Sequence, residues 1–142
     1  LAQLAGGGDS GPVSPDRLKA WFDDQKRAAP ETAYRRALAL FAMLDATGHE
    51  LSPQLWQALL EGPVVGNEPG LNVAWEQNLD SAVADGRTGE AVMLVAIGAA
   101  ATGDEAYPSL PAARRAIAGL RTLGLEADGR RLAVETAMAA GL

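Results

Sequence analysis

A chain of 142 residues with 48% hydrophobic side chains holds enough apolar material for one buried core and is not disordered by composition. A net charge of -6 argues against general nucleic-acid binding, and the absence of cysteine removes disulfides and thiolate metal sites. Aromatic residues make up only 5% while alanine and leucine dominate, a balance that favours helix over sheet.

Taken in chain order, residues 1–13 read as the end of an upstream element followed by a linker, with Gly6-Gly7-Gly8 and Gly11-Pro12 as the breaks. Ser14-Pro15-Asp16 predicts a helix start, with serine as N-cap, proline in the first turn and an acid near the positive end of the dipole. The first helix runs to about Arg27, with Leu18, Trp21 and Phe22 as its apolar stripe. A second helix starts near Pro30-Glu31 and stops at Gly48. Its stretch Ala37 to Leu44 is apolar all round, which predicts a buried helix. Ser52-Pro53 opens a third, carrying Leu55, Trp56, Leu59 and Leu60, and Gly62 to Gly70 reads as a loop.

The fourth helix covers about Leu71 to Asp85 and the fifth about Thr88 to Ala101. Ala91 to Ala101 is the longest apolar run; a membrane span needs roughly 20 such residues, so a core helix is expected. The sixth runs from about Pro111 to Leu123, and the seventh from about Glu126 to Ala140, each before a glycine.

An internal repeat organises these elements. Ala46-Thr47-Gly48-His49-Glu50-Leu51-Ser52-Pro53-Gln54-Leu55 returns 55 residues later as Ala101-Thr102-Gly103-Asp104-Glu105-Ala106-Tyr107-Pro108-Ser109-Leu110, with six of ten positions identical. Trp21 and Trp75 recur at almost the same offset. The expected fold is all-α: about seven helices, as two three-helix repeats of roughly 55 residues plus a C-terminal helix, stacked as a solenoid or a compact bundle over residues 14–142. In that alignment Phe41, Met43 and Leu44 match Ala96, Gly98 and Ala99, so large residues face small ones and the second and fifth helices are expected to approach closely.

Catalytic signals are weak. Gly8-Asp9-Ser10-Gly11-Pro12 resembles the nucleophile segment of trypsin-like proteases, but a serine nucleophile needs a general base, and the single histidine is His49. The glycines there lack the spacing of a phosphate loop. His49-Glu50 and the matching Asp104-Glu105 read as polar turns, because closed metal sites take three or four ligands. Asp23 and Asp24 are neighbours on a helix and point about 100° apart, so they read as an acidic face. No catalytic, cofactor or metal residue is assigned.

Residues 1–105 carry seven basic and fifteen acidic side chains, whereas residues 106–142 carry five basic and three acidic. Arg114, Arg115, Arg130 and Arg131 thereby mark an expected docking surface, with Trp56 as an apolar anchor. The chain starts at Leu1, and its ten arginines outnumber two lysines in an Ala- and Gly-rich context. It therefore reads as the C-terminal part of a longer bacterial protein, with no indication of compartment.

The Ala-rich helix pairs ending in glycine, and the phrase Leu120-Arg121-Thr122-Leu123-Gly124-Leu125-Glu126-Ala127 with Arg130-Arg131-Leu132-Ala133 and Ala139-Ala140-Gly141-Leu142, resemble bacterial α-helical repeats of the tetratricopeptide or HEAT kind. The repeat length departs from the ~34 residues of tetratricopeptide units, and their Trp-Leu-Gly-Tyr pattern is missing. The resemblance implies a binding or scaffolding role. With no credible catalytic set, the expectation is a non-catalytic segment that binds another protein or its own copies, with no nucleic acid, no membrane insertion and no cofactor. The alternative is a small-molecule or peptide-binding helical domain with a pocket near Trp56 and the 62–70 loop.

Overall fold

The computed structural model describes residues 13–62, 73–100 and 109–142. The linker at 1–12, the Gly-Asp-Ser-Gly-Pro segment, most of the 62–70 loop and residues 101–108 of the second repeat copy, Asp104-Glu105 included, lie outside them. Among the described residues the fold is all-α, with no strand. Seven helices follow in order: α1 (Pro15–Ala28), α2 (Pro30–Ala46), α3 (Pro53–Leu60), α4 (Val73–Ala84), α5 (Thr88–Ala100), α6 (Leu110–Thr122) and α7 (Glu126–Ala139).

Proline sets the starts of α1, α2 and α3, where a missing N–H costs nothing and φ is already helical. Ser14 and Ser52 hold the N-cap positions, yet neither hydroxyl caps its helix. Glycine sets the stops. Gly48 has φ +94°, and the His49 N–H beyond it donates to the Leu44 carbonyl at 3.0 Å, closing the orphan end of α2. The same pattern closes α6 at Gly124 and α7 at Gly141.

Two apolar cores share one helix. The first is built on α2, whose Ala33, Ala37, Phe41 and Met43 are fully enclosed. A chain of edge-to-face aromatics crosses it: Phe22 meets Tyr34 at 5.2 Å and Phe41 at 6.2 Å, and Phe41 meets Trp56 at 6.2 Å. Helices α1 and α3 cover one side of α2, and α6 and α7 cover the other. The second core is smaller: Trp75, Leu79 and Ala82 of α4, Ala91 of α5 and Ala112 of α6. Among the described helices α6 alone packs into both, and small buried residues (Ala112, Ala113, Ala116 and Gly119) let its neighbours approach from two directions.

Two expectations need correction. Helix α5 is not a buried core helix: Val92, Met93 and Ile97 are 43%, 66% and 53% exposed. Helices α2 and α5 do not touch. What crowds Gly98 is Trp75, since a Cβ there would lie 2.6 Å from the indole. The cause lies in connectivity: α6 and α7 close over α2 and, among the described residues, leave α5 resting on α4 and α6 only.

Candidate interaction surface

Helix α5 carries no charged side chain after Glu90. With 3.6 residues per turn, Ala91, Leu94, Val95 and Gly98 fall on one side and Gly89, Val92, Met93, Ala96 and Ile97 on the other. The first side is seated on the second core, where the Trp75 indole Nε1–H donates to the Leu94 carbonyl at 2.7 Å. The indole thereby grips the middle of α5 by its backbone, and Gly98 leaves room for the ring. The second side faces solvent throughout. A helix that is apolar all round is normally enclosed. Full burial of a Val, Ile or Met side chain contributes about 1.5–3 kcal/mol, so covering these three half-exposed chains would contribute about 1 kcal/mol each. Leu60, Val73 and Met138 are also exposed, each on a different helix.

The arginines expected to form a docking surface are used largely inside the chain. Arg114 Nε donates to the Asp45 carboxylate at 3.1 Å, which ties α6 to the end of α2. Arg115 turns the other way: its Nε donates to Asp80 at 2.9 Å and its guanidinium reaches Glu76 at 3.0 Å, which ties α6 to α4. Arg131 pairs with Asp128 one turn away at 3.2 Å. Arg130 lines a cleft with Thr47, Ile117, Arg121, Glu126 and Gly129. That cleft holds about 30 Å³, room for a water, against the 300–1,000 Å³ typical of ligand pockets. Trp56 is half-buried against Phe41, so much of its ring serves the first core.

The Arg115 pairing has an acid-side consequence. Its hydrogen bond holds the Asp80 carboxyl below the ordinary 3.8, while the same contact raises the arginine. A carboxyl with a lowered folded-state pKa contributes stability above its unfolded value and loses it as pH falls through the folded value. Both side chains are more than one-third exposed, 39% and 47%, so the contribution is about 0–1 kcal/mol. The expected result is a fall in amide protection of α4 on acidification below about pH 4, most of it absent in Asp80→Asn; hydrogen exchange across that range checks it.

His49 has its ring Nδ1 3.2 Å from the Thr47 hydroxyl, and that hydroxyl also donates into the carbonyls at the end of α2. Among the described residues no three acidic or histidine side chains converge as metal ligands, and no helix is long and apolar enough to cross a membrane. The chain matches no protein family, no curated protein and no solved structure. Sequence reading missed the open face because α5 carries an unbroken apolar run like that of the buried α2. Residues 91–98 are apolar on both sides, so nothing within the run marks 92, 93, 96 and 97 as the open side.

Proposed function

We propose that this chain is a non-catalytic helical-repeat domain of bacterial origin that binds protein through the outer face of α5. The observation that carries the reading is the 13-residue helix with one side seated on Trp75 and the other apolar and open. The ion pairs of Arg115 support a scaffold role, because they brace α4 and α6, the two helices beneath that face. A photo-crosslinking residue at Met93, in the full chain inside source cells, tests it. Expected are discrete protein adducts at position 93 that vanish when Ile97→Lys is added, and none from a probe at the exposed Asp24 of α1. No adduct at 93, or adducts indifferent to Ile97→Lys, would overturn the reading.

A further inference from the structure

The chain has no cysteine, so its three methionines hold all of its sulfur, and the fold separates them. Met43 is enclosed in the first core at 0% exposure. Met93 and Met138 stand at 66% and 60% exposure. Met138 lies on α7, which makes no contact with α5. Met93 lies in the middle of the open side of α5, among the exposed Val92, Ala96 and Ile97. A long helical side chain leans back over the residues three and four before it, here Glu90 and Gly89. Glu90 is paired with Arg87. Gly89 has no side chain, and a Cβ there would meet nothing within 4 Å, so solvent reaches the thioether over that turn.

We propose that Met93 is a site of reversible oxidation by hydroperoxides, and that this modification turns the outer face of α5 from apolar to polar. The sulfur lone pair attacks the outer peroxide oxygen; a sulfur–oxygen bond forms and the oxygen–oxygen bond breaks. Sulfur is oxidised to the sulfoxide and the peroxide is reduced. The proton of the transferred oxygen passes to the departing oxygen, which leaves as water or an alcohol. A thiol-dependent sulfoxide reductase reverses the change, giving back the thioether with a disulfide and water.

The new oxygen is a strong hydrogen-bond acceptor on a face that offers it no donor. Val92, Ala96 and Ile97 carry none. Arg87, at the start of the helix, is already engaged by Glu90, by Ser81 at 2.8 Å and by Asp85 at 3.3 Å. An apolar cover laid on the oxidised face would bury the oxygen unbonded, which is unfavourable. The regulatory consequence rests on the reading of α5 as a docking face: the oxidant reaches Met93 in the undocked chain and keeps it undocked. Met138 is exposed to the same oxidant without touching that face, and Met43 is shielded, so the chain carries its own two controls.

Hydrogen peroxide on the purified full chain, stopped with catalase and followed by peptide mass spectrometry, tests the site. Met93 and Met138 should convert at least about tenfold faster than Met43, which is reached only when the first core opens. Helical circular dichroism should hold steady, because both reactive positions are exposed. The face is read with a photo-crosslinking residue at the exposed Ala96, in chain added to a lysate of source cells before or after oxidation. Protein adducts at 96 should fall about tenfold on oxidation, as an unbonded buried oxygen demands, and return after treatment with a sulfoxide reductase. Met93→Leu should make the adducts indifferent to peroxide, whereas Met138→Leu should leave them sensitive. Equal oxidation of all three methionines in the folded chain, adducts that survive full conversion of Met93, or a Met93→Leu chain that still loses them would each overturn the proposal and leave the docking face standing. An unoxidised chain that gives no adduct at 96 would overturn the docking face and the regulation together.

Discussion

Phe41→Ala is expected to destabilise the chain by about 3–5 kcal/mol, the largest effect of any single truncation considered. Phe41 is fully enclosed and stands between two aromatic partners, Phe22 and Trp56, each at 6.2 Å and edge to face. Removing the ring leaves a cavity bordered by three helices that are held apart by one another's side chains, so collapse cannot fill it. Domains of this size have about 5–15 kcal/mol in total, and the variant should unfold near ambient temperature or in little denaturant. Urea unfolding followed by helical circular dichroism measures it. Ile97→Ala, at a 53% exposed position, should change stability by no more than about 0.5 kcal/mol. A Phe41→Ala loss below about 1 kcal/mol would mean that the core is not centred on α2.

Gly98→Leu is expected to cost about 1–3 kcal/mol, and the loss should be local. The first added carbon would already sit 2.6 Å from the Trp75 ring, far inside van der Waals contact. The indole is fixed by its bond to the Leu94 carbonyl and cannot swing away without giving that bond up. Helix α5 must therefore lift from α4, while α1, α2, α3 and α7 keep their packing, because none of them touches α5. Hydrogen exchange should rise in residues 73–98 and hold steady in α2. A uniform rise would show that the two cores unfold as one cooperative unit.

The helix limits were legible because they are written locally. Pro15, Pro30 and Pro53 stand at starts, and Gly48, Gly124 and Gly141 stand at positive φ just past the ends. The burial of each helix was not, because it is decided by neighbours distant in sequence. Ala37–Leu44 and Ala91–Gly98 are both apolar, and no periodicity within either says which one α6 and α7 will cover. The Arg114–Asp45 pair that marks the choice joins residues 69 apart. The arginine pairs show the same limit. Arg114 and Arg115 are adjacent, so they point about 100° apart and reach different helices, Arg114 to α2 and Arg115 to α4. That geometry, applied to Asp23 and Asp24 in reading the sequence, applied equally to these arginines. The size-matching of α2 with α5 failed for a related reason: the Trp21–Trp75 offset of 54 brings corresponding faces together, one residue from the 55 of the Ala-Thr-Gly phrase.

The position of α6 between two cores has a consequence for how the chain is born. Helix α2 ends at Ala46, and the helices that close over it begin only at Leu110. At translation rates of about 5–20 residues per second, the nascent chain carries α1, α2 and α3 for several seconds before that cover emerges. During this interval the outer side of α2, with Ala39, Ala42 and Met43, is as bare as that of α5. The two helices with the strongest appetite for a neighbour thus coexist unsatisfied on the ribosome, and the late arrival of α6 and α7 determines that α2 is the one enclosed. Ribosomes translating the same message present this intermediate side by side, so crowding on a polysome is where mispairing of α2 with its copies competes with the fold.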